Sequence, residues 1–500
     1  MSEQLSMLDT MFLELEQFDE AAHMHIGAAL IFDALPGGGT PTIGELRDHI
    51  RERVGMLPRY TQQLSGVHAG PLTWLTWEPA KVFDPGSVVH HATLPAPGGE
   101  AELCEWLGEF WSHRLDRRRP LWEMTLLDGL EHGRWALASK THHCLVDGVG
   151  SLDIGHVLLD VSPDAPPPRL LSLPDSDGEA PENGNGRFWL SPGLVLRGAR
   201  AGVGAALHPR ESLERARAAV ELIVREEVIG APKSSLNGPM SGKRHFATVR
   251  LDLADVKATK ARLGGTVNDV VLALCAGGLR HLLLSRGDVL PEHDLRAQVP
   301  VNIRSDEQEH SLGNELTSLF VELPVGESDP VARYRRVVER TEQLKAGSQR
   351  AGGKTIVDLA DMGPPLAGAL LARSMFGGTR MFNLTITNVP GPQQRLYALG
   401  APLVEILPLV PLFAGHTIGI AVLSYAGQVV FGLNADPMAA PDVEVLAEGI
   451  ARSFSELQQA EPKRPRGRSG PASTPTVILR RNPPQDRGSP RFAEDGAVTA

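Results

Sequence analysis

RWALASKTHHCLVDGVG (residues 134–150) is a strand-like run that ends in two adjacent histidines and then turns at Asp147 and Gly148. Neighbouring side chains of a strand point to opposite faces, so His142 and His143 cannot address one point while the extended geometry lasts. That disfavours a metal centre, and the chain has neither H-E-x-x-H spacing nor a cysteine cluster to complete one. Two readings stay open: the pair is hydrogen-bonded structure at a strand terminus, or one ring is a general base. Gly148 lets the chain turn sharply, so Asp147, with three residues between it and His143, can return toward the strand end and fix the loop. One histidine is thereby presented at an edge. A neutral imidazole, with a pKa of about 6.5, can take a proton from a hydroxyl as that hydroxyl attacks a carbonyl. His143 is the candidate. With no G-x-S-x-G motif in the chain, direct transfer from an activated acyl donor fits better than a nucleophilic serine.

The flanking sequence alternates two periods. HMHIGAALIFD (23–33) and LWEMTLLDGL (121–130) read as strands, and TIGELRDHIRERVGML (42–57) as an amphipathic helix. In ELCEWLGEFWSHRL (102–115), Leu103, Trp106, Leu107, Phe110 and Trp111 recur at helical spacing, a stripe expected in the core. Residues 162–186, rich in Pro, Asp, Gly and Asn, read as a flexible linker, followed by a helical crossover. A second α/β pattern starts near Lys243 with the strand KRHFATVRLDL (243–253) and a long, largely buried helix behind a Thr266 cap. Asn268 and Asp269, at the start of that helix, are suited to satisfying its free backbone groups. Strands over 295–304, 316–325 and 381–391 follow, then a hairpin over 416–436 that turns at Ala426-Gly427. The last helix sets Val443, Leu446, Ile450, Phe454 and Leu457 on one face.

The fold class is therefore mixed α/β, divided as 1–161, a linker and crossover over 162–242, 243–460, and a tail over 461–500. Beyond Pro462 the tail has eight Lys or Arg against three acidic residues and no packing period, so disorder is expected. Its basicity could favour an anionic membrane surface.

Composition removes several classes. The formal charge of -11, from 49 basic and 60 acidic residues, opposes the phosphate attraction that nucleic-acid binding needs. Three widely spaced cysteines give no disulfide framework, which fits a reducing, cytoplasmic compartment. The acidic N-terminus is unlike a secretory signal. The apolar tract over 407–433 is broken by prolines, glycines, His416 and Gln428 and lacks the ~20 apolar residues of a span, so membrane contact is expected to be peripheral.

HHCLVDG resembles the H-H-x-x-x-D-G motif of the bacterial wax ester synthase/diacylglycerol acyltransferase family, whose relatives are CoA-dependent acyltransferases. Further blocks follow in family order: LDTMFLELE with MHIGAALIF, LDRRRPLWE with Pro120, Leu121 and Trp122, and TVNDVVLALCAGGLR with Asn268 and Asp269. VPVNIR with GNELTSLFVELPV, and ITNVPGP followed by SYAGQVVFGLNAD, complete a resemblance that covers roughly residues 6 to 458. Cys144 stands where the family more often has a small residue, and Asn302 where it has serine.

The resemblance implies a two-domain chloramphenicol-acetyltransferase-like sandwich with mixed sheets and an active-site tunnel at the domain interface. It implies that His143 is the general base toward an alcohol or diacylglycerol hydroxyl, with fatty acyl-CoA as co-substrate and no metal or redox cofactor. Asp147 would hold the loop, His142 would support, and Gly148, Asn268 and Asp269 would bind substrate or brace the site. A lipid-inclusion or membrane surface would be the place of contact with the acceptor. Two alternatives accompany this: a superfamily acyltransferase with another lipid or polyketide substrate, and a non-catalytic lipid-binding protein.

Overall fold

The structure is a computed structural model of the 500-residue chain and describes residues 3–5, 7–65, 75–80, 83–145, 158–165, 230–302, 316–350, 381–460 and 476–477. The linker from residue 166 on, the crossover helix, Asp147, Gly148 and all of the tail but residues 476–477 lie outside the described residues.

In chain order the first half runs β1 (Glu3–Gln4), α1 (Met7–Phe18), β2 (His25–Phe32), α2 (Ile43–Val54), β3 (Gln62–Leu64), β4 (Thr76–Pro79), β5 (Val89–Thr93), α3 (Glu100–Ser112), β6 (Trp122–Asp128) and β7 (Trp135–His142). The second begins with β8 (His245–Asp252), α4 (Leu253–Leu263), α5 (Val267–Ser285), β9 (Leu295–Asn302), β10 (Leu316–Leu323) and α6 (Pro330–Arg350). It closes with β11 (Leu384–Pro390), β12 (Tyr397–Ala398), β13 (Ala401–Leu409), β14 (Ile418–Tyr425), β15 (Gln428–Ala435), α7 (Val443–Gln459) and β16 (Thr476–Val477).

Two large sheets organise these elements. The first has six strands in the order β12-β13-β2-β7-β6-β5, antiparallel except where β5 runs parallel to β6. The second has seven, β10-β9-β11-β14-β15-β8-β16, with β11 parallel to both of its neighbours. Both are mixed, as the sequence predicts.

Residue patterns explain the placements. β7 is buried along its whole length because its two faces meet different layers. Trp135 and Leu137 enter one core with α1 and α2, while Ala136 and Ala138 enter another with Leu103, Leu107, Phe110 and Trp111 of α3. The α3 stripe is core, with Trp106 at its edge. α5 starts in a capping box between Thr266 and Asp269 and fills the centre of the second half, where α7 buries Val443, Leu446, Ile450, Phe454 and Leu457 against it. α5 is also the one described helix long and apolar enough to cross a bilayer. The β14–β15 hairpin turns at Ala426 (φ 45°) and Gly427 (φ 88°), a conformation in which two left-handed residues match the twist of the strands.

The sheets do not follow the division of the chain at residue 243. β12 and β13 leave the second half and join the first sheet, with β13 pairing to β2. The sequence pattern hides this strand, since Pro402 and Pro408 break its period and its register shifts between Leu403 and Glu405. Within the tail expected to be disordered, Thr476 and Val477 pair with Arg250 and Val249 of β8.

Three buried or half-buried charges tie the crossing strand down. Arg250 on β8 bonds both oxygens of Glu405 on β13, with its NH2 group 3.0 Å from Oε2, and lies 2.6 Å from Glu100 at the start of α3.

Candidate active site

β7 delivers the two histidines as strand alternation requires. His142 is the last residue of β7, and a single 3-10 turn over His143–Leu145 follows. The strand end is pinned from both sides. The backbone N–H of His142 donates to Leu121 O at 2.9 Å, and that of His143 donates to Met24 O at 2.8 Å.

The rings then part. His143 stacks on Phe12, with centroids 4.0 Å apart and planes 24° apart. His142 turns the other way, into a buried polar cluster. Its Nε2 lies 3.2 Å from Glu16 Oε2, and its Nδ1 receives the backbone N–H of Cys144 at 3.2 Å, with Cys144 Sγ 2.9 Å away. Phe12 and Glu16 stand four residues apart on α1, so one helix face touches both rings.

Glu16 is 2% exposed, and its environment explains why a carboxylate tolerates that position. Arg117 lies 2.7 Å from Oε2 and Arg114 lies 3.3 Å from Oε1, with His25 Nε2 at 3.9 Å. Burial works against its ionisation but is outweighed by His142, His25 and Arg117, which hold its pKa far below the usual carboxylate range. The imidazole pKa values fall as well, here because burial disfavours the charged ring. Burial lowers the pKa of His142, takes His25 well below the ordinary value, and pushes both His23 and His143 down to about 4. For His143 burial is the main cause, opposed weakly by its own backbone. A half-buried His143 is thus neutral at physiological pH and arrives as a free base.

The second-half residues singled out from sequence stand at the start of α5, as their helix-terminus reading predicts. Asp269 is buried and accepts from the Thr266 backbone N–H at 2.7 Å, the Thr266 hydroxyl at 2.8 Å and the Thr341 hydroxyl at 2.7 Å. It therefore caps α5 and ties α6 to it. Asn268 accepts from Asn388 Nδ2 at 3.1 Å, joining the start of α5 to β11. Among the described residues, neither is hydrogen-bonded to His142 or His143. Leu121 and Trp122 are core, with Trp122 Nε1 donating to Tyr60 O at 2.8 Å.

Glu16 is the site residue that sequence reasoning overlooks. A signal for it exists: a glutamate one turn after Phe12, on a helix face that is apolar but for Asp9, demands a buried partner, and the RRR run at 117–119 supplies a cation.

A cavity of about 270 Å³ lies between the halves, lined by sequence neighbours of Glu16 and His25 but by none of Phe12, Glu16, His142 or His143. Leu15, Phe18, Asp19, Ala22 and Met24 line it from the first half, and Phe413 and Ala414 from the loop between β13 and β14. Among the described residues no group of three or more His, Cys, Asp or Glu is arranged to hold a metal ion.

Two mixed sheets, the first completed by strands that cross from the second half, with the His142-His143 pair of an H-H-x-x-x-D-G sequence at the end of a central strand, define an acyltransferase of the chloramphenicol-acetyltransferase-like fold. The same two-sheet fold is found in the first condensation domain of the calcium-dependent antibiotic synthetase, at a TM-score of 0.56 and 18% identity over 95% of this chain and 98% of that one. Residues 5–271 match the wax ester synthase/diacylglycerol acyltransferase catalytic domain and residues 312–458 match the WS/DGAT C-terminal domain. A probable diacylglycerol O-acyltransferase of Mycobacterium tuberculosis is 31% identical over 463 residues, covering 91% of this chain and 95% of that protein. The solved wax ester synthase/diacylglycerol acyltransferase of Marinobacter aquaeolei VT8 superposes with a TM-score of 0.67 at 25% identity, over 91% of this chain and 99% of that one. The chain belongs to the wax ester synthase/diacylglycerol acyltransferase family.

Proposed function

We propose that the protein moves a long-chain fatty acyl group from acyl-CoA to the free hydroxyl of diacylglycerol, and to long-chain alcohols, with His143 as general base. The observation that carries this is the state of His143, a neutral ring presented where β7 ends and held in place by Phe12. An unprotonated nitrogen of that ring takes the acceptor's proton as the hydroxyl oxygen bonds to the thioester carbon. The carbon–sulfur bond then breaks, and the imidazolium returns its proton to the departing CoA thiolate. Both substrates leave the ring as they found it, so acyl-CoA is a co-substrate and the step calls for no metal or redox group.

Asp147 and Gly148 carry the loop that follows the base, on the family pattern. The cavity between α1 and the β13–β14 loop, lined by six apolar side chains and Asp19 with a surface about half polar, offers room for part of an acyl chain or acceptor. Phe18, 53% exposed at its rim, is suited to contact with a membrane or lipid-inclusion surface from which a water-insoluble acceptor is drawn.

Thiol release from palmitoyl-CoA by purified protein, with diacylglycerol, a long-chain alcohol or no acceptor, tests the reading while lipid products are followed. Acceptor-dependent release is expected, and His143→Ala should lose about 10²- to 10⁴-fold, the usual share of a general base. A folded His143→Ala protein with near-normal turnover would remove the central claim.

A further inference from the structure

We propose that Glu16 is a positioning residue for acyl transfer: its carboxylate fixes His142 as the Nε2–H tautomer, and the bare Nδ1 of that ring holds the Cys144 amide and with it the turn that presents His143. The kinetic part of this proposal rests on the acyltransferase reading above.

The chemistry of the three groups in line allows one arrangement. An ionised carboxylate only accepts hydrogen bonds, and a backbone N–H only donates. His142 stands between them, with Nε2 3.2 Å from Glu16 Oε2 and Nδ1 3.2 Å from the Cys144 nitrogen. A neutral ring carries one proton, so that proton sits on Nε2 and points at Glu16. The opposite tautomer or the imidazolium would set an Nδ1–H against the Cys144 amide N–H, with only the weakly accepting Cys144 Sγ, 2.9 Å away, to receive it. A bare Nδ1 accepts from the amide and can accept from the thiol as well. The link therefore selects both the tautomer and the neutral state.

Position gives the link its consequence. Cys144 follows His143 directly, inside the 3-10 turn, so an anchored Cys144 amide limits where the His143 ring can swing. The turn has two other holds, the His143 N–H on Met24 O and the ring stack on Phe12. Glu16 supplies the third from one turn along the same helix as Phe12. A structural counter-ion for the arginines is the competing role, because Arg114 and Arg117 both reach this carboxylate. Those two cations are only partly buried, 36% and 23% exposed, and an acid nearer the surface would serve them. Burial at 2% exposure places Glu16 within reach of His142. Asp9, buried and near Cys144, and Lys140, near His25, join His23, His25 and Arg244 in the charged and titratable surroundings.

The two roles separate by variant. Glu16→Gln keeps an oxygen that can accept from His142 and loses the charge, whereas Glu16→Met loses both. We expect Glu16→Met to lower kcat by as much as about 100-fold, the scale of a small misplacement of a reacting group, with KM for palmitoyl-CoA within about twofold. Glu16→Gln should stand at least about tenfold above it. Long-range proton–nitrogen correlation on the full chain labelled with ¹⁵N-histidine, with His142 assigned by its loss in His142→Asn, should show a neutral Nε2–H ring in wild type and in Glu16→Gln.

Equal low kcat in both variants assigns Glu16 to the arginines and overturns the proposal, as does full kcat in Glu16→Met. A wild-type His142 seen as Nδ1–H or as imidazolium overturns it without any variant, so the test survives a Met variant that does not fold. Absence of thiol release by wild type with every acceptor would defeat the acyltransferase reading instead, while the spectrum still answers for Glu16 and His142.

Discussion

Phe12 lies flat against His143, their ring centroids 4.0 Å apart. The contact supplies an apolar wall that desolvates the imidazole and an oriented face that fixes its plane. A base whose ring is free to rotate spends little of its time aimed at the acceptor, so the stack bears on rate as well as on stability.

Phe12→Leu keeps most of the buried volume and removes the stack. The pair is worth about 0.5–1.5 kcal/mol beyond its area, so kcat should fall from about twofold to about tenfold with little change in the melting temperature. Phe12→Ala adds a cavity and should cost about 3–5 kcal/mol of stability, measured by urea unfolding. Wild-type kcat in a folded Phe12→Leu protein would mean that the stack does not position the base.

Acid should unfold this protein before it titrates its base. His23 and His416 are held near pKa 4 by burial, and His143 is too. Unfolded imidazoles titrate at about 6.5, so between about pH 6.5 and about pH 4 the unfolded chain binds more protons than the native one. The contribution of these neutral rings is complete above about pH 6.5 and is lost as pH falls toward 4, at roughly 3 kcal/mol each for the deeply buried His23 and His416. Urea midpoints should drop steadily from about pH 7 to about pH 5, while kcat/KM stays level from about pH 8 to about pH 6 because His143 remains neutral. A kcat/KM limb falling below about pH 7 in stable protein would show a base with an ordinary histidine pKa.

Much of this architecture was legible from residue spacing, and its failures have physical causes. Opposite side-chain directions at His142 and His143 follow from strand pleat alone, and the split between Glu16 and Phe12 bears that expectation out. The α3 stripe, the Thr266 cap, the Ala426-Gly427 turn and the α7 face are local patterns, and local patterns survive folding. β13 was illegible because Pro402 and Pro408 break its period and because its pairing with β2 joins segments nearly 400 residues apart, which no window along the chain can register. Glu16 escaped for a similar reason. Its partners Arg114, Arg117 and His142 are remote in sequence, so only its misplaced charge on a mostly apolar face betrayed it. Asp269 shows the reverse case, where helix-terminus chemistry visible in the sequence accounts for two of its three hydrogen bonds, the third coming from Thr341 on α6.

Asp269→Ala should therefore act on stability. Removing the carboxylate opens the capping box of α5 and takes from the buried Thr341 hydroxyl one of its two acceptors, the other being Val338 O at 3.0 Å, for a total of about 1–2 kcal/mol. Asp269→Asn keeps one acceptor oxygen and should cost less. Denaturant titration of both variants checks the order, and a loss below about 0.5 kcal/mol in Asp269→Ala would deny the capping box any weight.

The crossing strand offers the last test. Arg250 is held by Glu405 of β13 and Glu100 of α3, whose charges raise its pKa above that of a free guanidinium despite the opposing effect of burial. Arg250→Ala strands two carboxylates in a half-buried seam, and one partner lost from such a pair costs about 3–5 kcal/mol. Replacing all three residues together by apolar groups of similar size removes the stranded charges and should recover most of that loss. Because the seam joins β8 to a strand that has crossed between sheets, the two halves should still melt in one transition in the triple variant. Separate transitions would show that the ion cluster, rather than the pairing of β13 with β2, is what couples them.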